Sequence, residues 1–193
     1  HSIGEWVLRE ACSQHCEWLT QGLPPLRIAI NISAIQFRQK NFCAIIKQVA
    51  QETGIDPQYI ELELTESMVI VYSEHTVETL AELRAFGIKL AIDDFGTGYS
   101  SLDYLRKFPV DRIKIDQSFI RNIKTIPAND AIVSAIIAMG DNLGLEMIAE
   151  GVETPDELEC IKNHHCQEVQ GYHFSRPVPA YEFGPWFRQF HQC

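Results

Sequence analysis

With 193 residues, 46% of them hydrophobic and 22% charged, the chain can bury a core and fits one soluble globular domain. A formal net charge of −10 argues against a bare binder of polymeric DNA or RNA, which would show a basic face. An acidic protein can still take a small phosphate ligand where a metal ion supplies the positive charge.

No run of about 18 apolar residues is present to span a membrane, and no signal-peptide pattern opens the chain. It starts at His1 in mid-pattern and so reads as a piece of something longer. The six cysteines lack a zinc-knuckle arrangement, Cys12 and Cys16 being one helical turn apart, and read as reduced structural thiols of a cytosolic protein.

In chain order, an opening helix is predicted over about Ile3 to Thr20, stopped by Gly22-Leu23-Pro24-Pro25. The strand "LRIAINIS" follows, then a helix over about Phe42 to Thr53 closed by Gly54. The strand "YIELELTES" ends in Glu63, Thr65 and Glu66, and a helix over about Ser73 to Phe86 is capped by Gly87. "IKLAIDDF" ends in Asp93 and Asp94, before a helix around Ser101 to Lys107. "VDRIKIDQSF" carries Lys114 and Asp116, before a long helix over about Asn129 to Leu143. "LEMIAEGVE" ends in Glu150, before a helix from Pro155 to about Asn163. "CQEVQGYHF" ends in Gln170, and a last helix starts near Ala180.

Strands alternating with helices predict a mostly parallel sheet covered by helices. A doubly wound sheet would need polar residues only at its one or two switch-point strands. Here all six strand ends carry them, which favours a (β/α) barrel whose strand ends converge on one mouth. A full barrel has eight strands and about 250 residues, so about two N-terminal strands are expected to be missing. No composition break divides the chain.

The predicted mouth gathers Asn31, Glu63, Glu66, Asp93, Asp94, Lys114, Asp116, Glu150, Glu153 and Gln170. So many carboxylates around one cavity stay charged only if cations neutralise them. Oxygen donors without His or Cys select hard ions, Mg2+ or Mn2+ over Zn2+. The Asp93-Asp94 pair suits a two-metal site, whose usual use is in-line attack of water on a phosphate ester. Lys114 would orient that water and offset charge, and Glu150 would accept its proton or hold water on the second metal. Gly96 and Gly98 let the following loop lie close to ligand.

Blander readings compete at each position. A lone strand-end acid is usually solvated or an N-cap, so Asp116 and Glu153 could be caps and Lys114 a simple ion-pair partner. "GTGYSS" lacks the Lys-Ser/Thr pair of a phosphate loop. His164, His165 and His173 stand off the carboxylate set and read as surface or packing residues. Trp186, Phe187 and Phe190 read as core or interface. Any one position favours the bland reading; six polar strand ends together do not.

The stretches "NISAIQF", "ELELTES", "AIDDFGTGYSSLDYL", "DRIKIDQSFI", "IAEGVET" and "QGYHFSRPVP" resemble, in order and spacing, the EAL domain, the cyclic di-GMP phosphodiesterase family. The resemblance implies a TIM-like (β/α)8 barrel over residues 1–193, partial because the strands with the Glu-Ala-Leu signature and a substrate-binding arginine are absent. It implies hydrolysis of cyclic di-GMP to linear pGpG with two Mg2+ or Mn2+ ions. Asn31, Glu63 and Asp93 would hold the first metal. Asp93 would bridge to the second, held also by Asp94 and, through water, by Glu150. Lys114 would contact the attacking water, and Glu66 would tether the "DDFGTGYSSL" loop. Asp116, Glu153, Gln170 and the loop residues Gly96, Thr97 and Gly98 would contact substrate or support the metal ligands from behind. His165 stands where the family usually has Gly, and His173 where an apolar or aromatic residue is commoner.

The reading is therefore a cyclic di-GMP phosphodiesterase, with weak or no turnover expected of the piece alone. A catalytically silent cyclic di-GMP receptor or scaffold is the alternative, and a barrel enzyme for another phosphate ester fits the site but not the motifs. The resemblance also implies a homodimer, fusion to sensor or diguanylate cyclase-type domains, a cytoplasmic place for the domain, and room for a membrane-anchored parent.

Overall fold

A computed structural model of the chain describes residues 3–70, 74–98 and 105–190. Six strands run β1 (Ile28–Ile32), β2 (Ile60–Thr65), β3 (Lys89–Phe95), β4 (Arg112–Ile115), β5 (Glu146–Glu150) and β6 (Glu168–Gln170). They form one sheet in sequential order. From β3 to β6 every pairing is parallel, with Ile113 opposite Met147 and Glu150 opposite Gln170. Sequential parallel neighbours need a crossover between each pair, which explains the strand-helix alternation of the sequence. Strands β2 and β4 are buried almost throughout, as expected where helices cover both faces.

Two compact units divide the chain: His1–Leu62 with Glu82–Lys89 and Pro177–Cys193, and Glu63–Ala81 with Leu90–Arg176. In the first, helix Ile3–Thr20 packs on helix Phe42–Thr53 and on β1. Leu8, Cys12, Ile46, Val49, Ile60 and Leu83 fill its interior. Helix Ala180–Phe190 joins this unit through an aromatic chain from Trp18 to Phe183, Trp186 and Phe190. Trp18 Nε1 donates to the Ala180 carbonyl at 3.2 Å. Packing is thus the role of Trp186, as its sequence position indicated.

In the second unit, helix Pro127–Leu143 packs on β4, β5 and the short helix Gln117–Ile120. Leu64, Leu90, Ile113, Ile115, Val133, Ile137 and Met147 are buried there. Helix Pro155–Asn163 opens on a Thr154-Glu157 capping box.

The predicted elements hold, with three corrections. Glu66 is not a strand end but the first residue of helix Glu66–Ile70. The cap before Pro155 is Thr154, so Glu153 is not one. The long helix starts two residues earlier than predicted, because Pro127 is pre-organised for a first turn. Of the helix expected around Ser101 to Lys107, residues 101–104 lie outside the described residues. None of the five described cysteines is in a disulfide, as expected, and burial pushes the Cys12 pKa up to about 12. Among the described residues, no helix is long and apolar enough to cross a membrane.

Candidate active site

The C-terminal ends of β2 to β5 converge within the second unit on one buried cation. Lys114 Nζ, on β4, lies 2.7 Å from Glu63 Oε1 of β2, 2.6 Å from Glu150 Oε1 of β5 and 3.2 Å from Asp93 Oδ1 of β3. Its side chain is 4% exposed. An ammonium has three donors, and three carboxylates stand ready to accept them. Burial pulls the lysine pKa down, but the contacts to Glu150 and Glu63 outweigh it and raise it overall. Lys114 is therefore a fixed positive charge, not a base.

One cation cannot balance the acids around it. Asp93, Asp94 and Glu150 each offer a carboxylate oxygen, all within 4.8 Å of one another. Burial raises the Glu150 pKa to about 7; Lys114 opposes the shift, while Asp93 and Glu63 add to it. Asp94 is raised as well, by burial first and then by Asp93 and Asp116. The uncompensated negative charge and the all-oxygen donor set fit a hard divalent cation.

Backbone geometry explains how two adjacent residues share one site. Successive strand side chains point to opposite faces. The β3–β4 register shifts between Ile92 and Phe95, and Asp94 takes a left-handed conformation with φ 55°. Such an irregularity re-aims a side chain. Asp94 N–H then donates to Asp93 Oδ1 at 3.0 Å.

The loop after β3 is held from below. Glu66 is buried, and its Oε2 accepts from the Gly96 N–H at 2.8 Å and the Gly98 N–H at 3.4 Å. A Cβ on Gly98 would meet Glu66 Oε1 at 2.6 Å, so a side chain there would push the Glu66 carboxylate out of this position. Thr97 Oγ1 donates to the Asp94 carbonyl at 2.9 Å. Residues 99–104 of the same motif lie outside the described residues.

The remaining candidates divide. Asp116 is the N-cap of helix Gln117–Ile120, accepting from Ser118 N–H at 2.9 Å, and also touches Asp94. Gln170 is exposed at the end of β6, opposite Glu150. Glu153 is exposed, with its carboxylate 3.9 Å from Arg121 Nη2. Asn31 is an exposed residue of β1, in the other unit. His164 bonds Asp130 at 2.7 Å, and His173 packs edge-on to Phe174, away from the acids in both cases. Sequence reading passed over Glu157, whose carboxylate gathers backbone N–H groups beside the Glu150 loop. Its "TPDE" capping-box spacing was the available signal.

The EAL domain family model matches residues 1–177. This chain belongs to the EAL domain family. It is 45% identical over 181 residues to the signaling protein YkoW of Bacillus subtilis, covering 94% of this chain and 22% of that protein. To the cyclic di-GMP phosphodiesterase NbdA of Pseudomonas aeruginosa it is 41% identical, covering 92% of this chain and 23% of that one. It thus spans about a fifth of the length of these curated EAL relatives. Among solved structures, the PaMucR phosphodiesterase in complex with c-di-GMP superposes with a TM-score of 0.90 at 40% identity. That match covers 94% of this chain and 73% of PaMucR. The manganese/cyclic di-GMP complex of Klebsiella pneumoniae BlrP1 gives 0.82 at 30% identity, over 91% of this chain and 44% of that one. The TIM-like α/β barrel of the EAL type is the fold these matches share.

Proposed function

We propose that this chain is the catalytic domain of a cyclic di-GMP phosphodiesterase, opening the cyclic dinucleotide to linear pGpG with two bound Mg2+ or Mn2+ ions. The observation that carries the reading is the Asp93, Asp94 and Glu150 cluster beside Lys114 at parallel strand ends. Relatives of the same family are named for this activity, and a solved relative is a manganese/cyclic di-GMP complex.

Glu63, Asp93 and Asp94 would hold the metal ions, with Glu150 helping through water. Asn31 enters this assignment through the family resemblance alone. Two divalent ions would polarise an attacking water and neutralise the phosphodiester as charge develops on it. Glu150, held near pKa 7, is suited to take the proton from that water. Lys114 fixes the carboxylates that surround it. Glu66, through Gly96 and Gly98, sets the loop behind Asp94. Asp116 supports Asp94, while Gln170, Glu153 and Thr97 enter as substrate-contacting or supporting residues through the family resemblance.

A homodimer belongs to the same proposal. Asp130 and Asp141 of helix Pro127–Leu143 are turned onto His164 and Gln167. Exposed Ala128, Ala131, Ile132, Ala135 and Ala138 leave an uncharged outer face for a second copy. The parent would carry sensor or diguanylate cyclase-type domains, with this domain in the cytoplasm.

The test is incubation of the protein, at its natural length, with cyclic di-GMP and Mg2+ or Mn2+, followed by chromatography for pGpG. Asp93→Asn is expected to lower turnover at least a hundredfold and to abolish the thermal stabilisation that Mn2+ gives the unaltered protein. Nucleotide bound but left intact in both metals would replace the enzyme reading with the receptor one.

A further inference from the structure

Glu150 leaves β5 on a segment with almost no free backbone. Gly151 has φ +70°, and a Cβ there would meet Gln117 Cβ at 2.5 Å. The Val152 N–H donates to the Gln170 carbonyl at 3.1 Å, and the Val152 carbonyl accepts from His173 N–H at 3.0 Å. The next two N–H groups, of Glu153 and Thr154, both donate to Glu157 Oε2, at 2.9 and 3.0 Å. Glu157 Oε1 accepts a third, from Asn122 at 3.4 Å, in the loop that follows Asp116 and helix Gln117–Ile120. Asn122 itself is left-handed, with φ 57°.

A capping box needs one of these bonds, from the N-cap N–H. The other two go beyond helix capping. They tie the loop after β4 to the loop after β5 through one carboxylate. Burial pushes the Glu157 pKa up, and the three backbone donors together with the Thr154 hydroxyl more than reverse it, so the group stays ionised. Charge-assisted bonds of this kind are the stronger class and fix geometry.

We infer that Glu157 is a positioning residue for the proposed hydrolysis, holding the strand ends that carry Asp116 and Glu150 in register at the metal cluster. The inference rests on the phosphodiesterase reading for its kinetic arm and on the metal cluster alone for its binding arm. A ligand held to within about half an ångström loses affinity and rate when its support slackens.

The experiment compares Glu157→Ala, Glu157→Gln and Thr154→Ala in the natural-length protein, reading kcat, KM and Mn2+ affinity by calorimetry. Thr154→Ala removes the other half of the capping box and the hydroxyl's own contact to the carboxylate but leaves the three backbone N–H bonds that join the loops, so it weakens the helix without slackening the clasp. Glu157→Ala is expected to lower kcat about tenfold with KM within twofold, and to weaken Mn2+ binding about tenfold. Glu157→Gln, whose amide oxygen still accepts, should recover most of both. Thr154→Ala should lower the melting temperature with kcat and Mn2+ affinity unchanged.

Equal effects of Glu157→Ala and Thr154→Ala would reduce Glu157 to a helix cap and overturn the inference. So would wild-type Mn2+ affinity in Glu157→Ala. If the unaltered protein binds Mn2+ but forms no pGpG, the phosphodiesterase reading fails while the affinity comparison still decides the role of Glu157. If it binds no Mn2+ at all, both readings fall.

Discussion

His15 lies on helix Ile3–Thr20, 2% exposed, its ring stacked on Tyr59 at 5.4 Å between centroids. Neither ring nitrogen meets hydrogen-bonding geometry with a described partner. Burial lowers its pKa, and the Leu26 backbone acts weakly the other way. The fold therefore holds the neutral imidazole, while the unfolded chain takes up a proton near pH 6.5. A base depressed in the fold contributes stability that is intact above that value and lost as pH falls below it. Urea unfolding should show stability declining as pH falls below about 6.5, and His15→Phe should flatten that limb. Relieving a buried unsatisfied ring should also add about 1 kcal/mol at pH 7. An unchanged acid limb in His15→Phe would locate the dependence elsewhere. Nothing in the surrounding sequence marks His15 as buried; its burial follows from which helix face meets helix Phe42–Thr53.

At the scale of elements, helix ends were legible because their chemistry is local. Gly54 and Gly144 follow helices in the left-handed conformation that a C-cap asks for. His165 does the same job with a side chain that pays for it sterically: φ is 59°, and the Cys166 N–H reaches back to the Ile161 carbonyl. The prediction is that His165→Gly raises stability by about 1 kcal/mol, read as a higher melting temperature. A lower melting temperature would mean that the histidine ring makes compensating contacts. Strand ends were less legible. Glu66 follows β2 without a break, so its helical start could not be told from a strand end by residue type. The displacement that unites Asp93 and Asp94 was hidden for a similar reason: alternation places neighbours on opposite faces, and only the β3–β4 register shift overrules it.

For the whole molecule, one exposed helix face bears on the proposed homodimer. Helix Pro127–Leu143 has both its acids bound to neighbours and an outer face of alanines with Ile132. An uncharged face of this kind suits the proposed contact with a second copy. Sedimentation at micromolar concentration should find a dimer, and Ile132→Glu should shift it to monomer without changing the circular dichroism spectrum. A monomer in the unaltered protein would remove the proposed partner and leave the metal cluster untouched, because that cluster lies at the strand ends.

The sequence by itself determined the alternation of strands and helices, the acids at the strand ends, and the family, since each depends on residue type and order. Tertiary structure decided which acids meet. Lys114 brings Glu63, Asp93 and Glu150 to within hydrogen-bond distance from three separate strands. Charge at such separations is set by burial and spacing, which no count of carboxylates contains. The same holds for Glu153 and Glu157, four residues apart in one helix-start motif. One faces solvent and the other binds three backbone N–H groups, because only the packed loops after β4 and β5 bring those donors to it.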